Sequence, residues 1–164
     1  MPDVGNVKLH KLLYYCQGWH LGWTGEPMFV DSIEAWANGP VVADLWHAEK
    51  KGRTPALTQT APALVLGTIG FVLGHYGSQT GKSLIQQTHR ERPWVAASEQ
   101  DVPNPCISRE ALREFFQVTA ESSSVRALRI ALLADPEGKA RLEQLSQGSS
   151  VTSFDALRRI RQRA

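Results

Sequence analysis

The sequence predicts a mainly α-helical protein, a compact multi-helix domain with a small β-hairpin and a C-terminal helical extension. Three observations predict it. Leu9, Leu12, Leu13, Cys16, Trp19, His20 and Trp23 recur at spacings of three and four, the period of a helix with a wide apolar face. Strand-like alternation is confined to one short stretch, where Ile33, Ala35 and Ala37 alternate with Glu34 and Trp36. Helix-capping residues and prolines punctuate the rest at helical intervals.

Taken in order, residues 7 to about 21 form the first helix, with Lys8, Lys11 and Gln17 expected on its solvent side. Thr24-Gly25-Glu26-Pro27 is a turn signal, and residues 28–37 read as short extended pieces. Asn38-Gly39-Pro40 closes this region. Gly39 can take positive φ, and Pro40 is placed to start a helix over residues 41–51, with Val42, Leu45 and Trp46 on one side. Residues 52–60 are a polar loop, and Pro62 introduces a helix bearing Leu64, Leu66, Ile69, Val72, Leu73 and Tyr76. Gly67, Gly70 and Gly74 weaken that helix by roughly 1 kcal/mol each relative to Ala, and a close helix crossing is the expected reason for them. Ser78 or Thr80 caps a helix with Leu84 and Ile85 inside, which must stop before Pro93. Residues 99–105 are a loop, and Ser108 caps a helix from 109 to about 119 that buries Leu112, Phe115 and Phe116. At Glu121-Ser122-Ser123-Ser124 the composition turns charge-rich and poor in aromatics. The expected division is therefore a domain over residues 1–120 and an extension over residues 121–164. In the extension Asp135-Pro136 opens one helix, and Thr152 with Asp155 caps a last one carrying Phe154, Leu157, Ile160 and several arginines.

At 164 residues the chain is long enough for a sizeable core. Its 18 Lys and Arg against 16 Asp and Glu give a net charge of only +2, too small to imply a nucleic-acid partner. Two cysteines, Cys16 and Cys106, form no CxxC pair or metal-ligand spacing, so a reducing compartment is expected and a disulfide scaffold is not. The N-terminal residues lack the apolar run of a signal peptide. The most apolar stretch, residues 63–76, falls short of the about 20 residues that span a bilayer. A cytoplasmic location without membrane contact is expected.

Reactive chemistry finds little support. His10 and His20 are ten residues apart, which on a helix separates their directions by roughly 80°, and no HExxH or paired Cys/His spacing occurs. Thr80-Gly81-Lys82-Ser83 echoes the end of a P-loop, but Tyr76 stands where the upstream glycine is needed. No catalytic residue, metal or cofactor is therefore expected. The five tryptophans suit cores and protein interfaces alike. Trp36 lies on the polar parity of its strand, and Trp94 follows the polar run from Thr88 to Arg92, so these two are the candidates for contact with a partner.

Several stretches together resemble the Panacea family of SocA-like antitoxins. Lys8-Leu9-His10-Lys11-Leu12-Leu13-Tyr14-Tyr15-Cys16-Gln17-Gly18-Trp19-His20-Leu21 is similar to that family's opening KLQKLLYYAQGWHL motif. Gly25-Glu26-Pro27-Met28-Phe29, Ile33-Glu34-Ala35-Trp36, Gly39-Pro40-Val41-Val42, Thr88-His89-Arg90-Glu91 before Pro93-Trp94, and Ile107-Ser108 follow in the family's order. The resemblance covers about residues 7–118 and implies a non-enzymatic antitoxin that binds a cognate protein toxin. The residues expected to meet that toxin are Trp36, Asn38, Gly39, Pro40, His89, Arg90 and Trp94, with Phe154, Arg158 and Arg159 in the extension. One branch of the family implies instead an adaptor delivering its toxin to a cytoplasmic protease. The basic last helix raises a third reading, a DNA-binding autorepressor.

Overall fold

The computed structural model describes residues 4–53 and 61–122. Its order is α1 (Val4–Thr24), β1 (Ile33–Trp36), β2 (Gly39–Val42), α2 (Ala43–Lys50), α3 (Ala63–Tyr76), α4 (Gly81–Thr88), α5 (Arg92–Ser98) and α6 (Arg109–Ala120). The mainly α class with one small antiparallel hairpin is as the sequence predicts. No helix among the described residues is long and apolar enough to cross a membrane. The helices expected beyond residue 122 lie outside the described residues.

Helix α1 is the axis of the fold. It packs against α3, α4, α6 and β2, and every residue from 10 to 21 is buried. The expectation that Lys11 and Gln17 face solvent is therefore wrong, for each is only 1% exposed. Polar side chains can be buried when hydrogen bonds replace those to water, and both find backbone partners. Lys11 Nζ donates to the Pro40 carbonyl at 2.9 Å. Gln17 Oε1 accepts from Met28 N at 2.8 Å, while Gln17 Nε2 donates to the Phe29 carbonyl at 2.8 Å. Lys8 is half-buried and donates to the Gly77 carbonyl at 2.7 Å.

Aromatic rings fill the space between helices. Tyr15 stacks on Tyr76 of α3 at 3.8 Å, and Phe116 of α6 stands edge-on to Tyr14 at 5.8 Å and to Trp19 at 5.1 Å. Edge-on pairs of this kind add to the burial energy of the rings. The close helix crossing is between α1 and α6, on glycines other than those the sequence suggested. A methyl group at Gly18 would overlap the Phe116 ring, and one at Gly22 would lie 2.8 Å from the Phe116 backbone carbon, whereas at Gly67 it would meet open space. Periodicity alone cannot tell which glycines meet another backbone.

Capping follows the sequence. Thr80 Oγ1 accepts from Ser83 N at 3.1 Å, and Ser108 Oγ from Ala111 N at 3.2 Å, each satisfying a free N–H of the first turn. Two elements differ. Pro40 lies in β2 and α2 starts only at Ala43, because α1 binds the 40–42 backbone in an extended form. Pro93 does not merely stop α4 but sits in the first turn of α5, where its missing N–H is harmless.

The two kinds of glycine should respond oppositely to alanine in a urea titration. Gly22→Ala is expected to destabilise by about 1–3 kcal/mol through overpacking. Gly67→Ala is expected to stabilise by roughly 1 kcal/mol through helix propensity.

Candidate functional site

The hairpin is fastened along both edges. Its strands pair antiparallel from Ile33↔Val42 to Trp36↔Gly39. The far edge of β1 is covered by residues 105–107, with Ala35 N donating to the Pro105 carbonyl and Ile107 N to the Ile33 carbonyl, both at 2.8 Å. The far edge of β2 meets α1. Val42 N donates to His10 Nδ1 at 3.2 Å, and the Pro40 carbonyl accepts from Lys11. Proline supplies no N–H at this edge and so leaves no donor to satisfy. Gly39 has φ 91°, as its place in the sequence suggests. It is needed for space as well, since a methyl group there would lie 2.7 Å from Lys11 Cε and 3.0 Å from Thr88 Oγ1.

This anchoring projects the hairpin turn beside the α4–α5 corner. Trp94 Nε1 donates to the Trp36 carbonyl at 3.3 Å, and the His89 ring lies on Trp94 with centroids 4.0 Å apart and planes 21° apart. Trp36 Nε1 donates to Glu34 Oε2 at 2.7 Å, two residues back on the same strand face. The Trp36 ring stands edge-on to Trp46 of α2 at 5.0 Å, and Lys50 Nζ sits 5.2 Å above the Trp46 ring, within cation–π range. Asn38 and Arg90 are exposed, and the three tryptophans and His89 are half-buried. Trp36, Asn38, Gly39, Pro40, His89, Arg90 and Trp94 are thus brought together, although some fifty residues separate the two segments. Phe154, Arg158 and Arg159 lie outside the described residues.

Trp46, which meets Trp36, and Lys50, which lies over Trp46, escape the sequence reading because their placement depends on where α2 begins. Lys11 carries a readable signal. Its neighbours three and four positions on are Tyr14 and Tyr15, so a charge at that position interrupts an apolar face.

Beneath this face lies a layer of buried ionisable groups. Burial lowers the Lys11 ammonium to about 7. Burial also raises the half-buried Glu91 carboxyl to about 7, against the pull of tyrosine hydroxyls; Tyr15 OH donates to Glu91 Oε1 at 2.9 Å. His10 is held down to about 4, first by burial and then by the neighbouring Lys11 charge. Burial, with the Lys11 charge second, lowers His89 too. Lys11 and His10 hold β2, and Glu91 ties the α4–α5 corner to α1. Among the described residues no cluster of three or more His, Cys, Asp or Glu side chains could hold a metal ion.

The model of the antitoxin SocA-like, Panacea domain family matches residues 9–95, from the first turns of α1 into α5 and over more than half of the chain. The chain belongs to the SocA-like antitoxin (Panacea domain) family. The matched stretch contains both segments of the tryptophan face and the α1 side chains that anchor them. Helix α6 follows it in sequence yet packs against α1. No curated protein and no solved structure matched the chain.

The buried lysine makes stability depend on pH in a defined direction. A lysine held near 7 when folded but free to bind its proton up to about 10.5 when unfolded costs stability in full below pH 7, and the cost is relieved as pH rises above it. The urea midpoint of the wild type should therefore rise from pH 7 to pH 9 relative to that of Lys11→Met, whose curve lacks this slope. At pH 9, where little of the charge remains, Lys11→Met should be less stable by about 1–3 kcal/mol, because the Pro40 carbonyl loses its donor.

Proposed function

We propose that this protein is the antitoxin of a type II toxin–antitoxin system, neutralising its toxin by direct protein–protein binding and without catalysis. The Trp36–Pro40 turn and the His89–Trp94 segment form the docking face. The observation that carries this reading is the Trp94 Nε1–Trp36 carbonyl hydrogen bond, which joins two distant segments into one aromatic surface flanked by the exposed Asn38 and Arg90. Family membership supports the antitoxin role. Tryptophan and arginine are the residue types most enriched at energetic centres of interfaces, and a rigid presentation limits the entropy lost on binding. Lys11, His10 and Glu91 below the face each make a hydrogen bond that shapes it, which favours recognition over turnover.

Co-expression of the full chain with the product of the adjoining gene tests this reading. Growth should be rescued and the two proteins should co-purify. Rescue without a complex would reject direct binding. Asn38→Glu, at the exposed turn, should weaken binding by at least about tenfold and abolish rescue while leaving the thermal midpoint unchanged. An unaffected rescue would remove the turn from the interface.

A further inference from the structure

The exposed charges around the tryptophan face are nearly all of one sign. Over residues 36–53 and 89–98 they are Lys50, Lys51, Arg53, Arg90 and Arg92 against Asp44, in a chain whose net charge is only +2. The other acids of these segments are drawn inward. Glu49 Oε2 lies 3.8 Å from the buried His10 Nε2, and Glu91 accepts from Tyr15. Lys50 and Lys51 stand at the C-terminal end of α2, where the helix dipole favours cations. Arg92 opens α5 at the end where the dipole disfavours them, so helix stability does not account for it.

The tryptophan rings are already engaged by neighbours. His89 covers one face of Trp94, Lys50 lies over Trp46, and Trp36 and Trp46 meet edge to face. Stacking of nucleobases calls for open aromatic faces, whereas a protein side chain can pack along ring edges. The charge and the ring arrangement together favour a protein surface over a nucleic acid.

We propose that the partner surface recognised here is acidic, its Asp and Glu carboxylates engaging Lys50, Arg90 and Arg92 around an apolar anchor seated at the Trp36–Trp46–Trp94 edges. The inference rests on the reading of this face as the toxin-binding surface and names the chemistry of that toxin's contact. Arginine at the rim offers paired donors that fit a carboxylate. Complementary rim charge acts mainly on the rate of encounter.

The test measures association of the full chain with the protein encoded by the adjoining gene, over a range of ionic strength. The combined variant Lys50→Glu, Arg90→Glu and Arg92→Glu should associate about tenfold more slowly or worse at low salt, and the fall of the rate with salt should flatten. Asp44→Asn should associate faster, a gain that loss of folding cannot mimic. If the wild type forms no complex, the docking reading fails and this inference falls with it. If the wild type binds and both variants associate at the wild-type rate, the acidic partner surface alone is overturned. A mixed-sequence single-stranded oligonucleotide provides the remaining arm. Tight binding of it at physiological salt, lost in the reversal variant, would overturn the proposal in favour of a nucleic-acid occupant.

Discussion

The burial of α1 on every side is the constraint from which the other features follow. In a helix enclosed from residue 10 to residue 21 each unsatisfied buried donor or acceptor costs on the order of 1–3 kcal/mol, and Tyr14 OH and His10 Nε2 are buried atoms of α1 without a hydrogen bond. Most polar side chains of α1 find a partner in the layer around it, and those partners are spread over several elements. Lys8 takes the end of α3, His10 and Lys11 take β2, Tyr15 takes the α4–α5 corner through Glu91, Gln17 takes residues 28 and 29, and His20 lies 3.0 Å from Thr68 of α3. Apolar packing by itself tolerates many arrangements of similar volume. These bonds select among them.

The candidate docking face is a product of the same constraint. A hairpin of two short strands is marginal in isolation, and an open strand edge invites pairing with other chains. Here one edge is covered by residues 105–107 and the other by His10 and Lys11. Backbone pairing is thus used up, and the turn and the tryptophan side chains are left to meet a partner. The buried lysine and the raised carboxyl of Glu91 would elsewhere point towards catalysis. Here Lys11 donates to the Pro40 carbonyl and Glu91 accepts from the Tyr15 hydroxyl, and burial beneath that face shifts the ionisation of both.

Much of this was readable from local chemistry. The turn at Gly39, the Thr80 and Ser108 caps and the apolar period of α1 each depend on a residue and its near neighbours, and all appear where the residues imply them. The ordered motifs resembling Panacea proteins pointed to both segments of the face. Errors arose where a residue's environment is set by distant chain. Lys11 and Gln17 look like solvent positions until β2 and residues 28–29 are laid over them. Pro40 reads as a helix start until its carbonyl is claimed by Lys11. Gly67 looks like a crossing point, but the glycines that meet another helix closely are Gly18, against the Phe116 ring, and Gly22, against the Phe116 backbone.

By itself the sequence determined most of the helical stretches, the Thr80 and Ser108 caps, the turn at Gly39 and the family to which the chain belongs, because these properties are carried by neighbouring residues and by motif order. Only the tertiary structure decided that α1 is covered on every side, that its charges are internal, and that Trp36, Trp46 and Trp94 share one surface. The physical reason is that burial is a property of the assembled layers. A polar side chain on a helix is compatible with water or with a backbone carbonyl, and only the packing of elements distant in sequence selects between them.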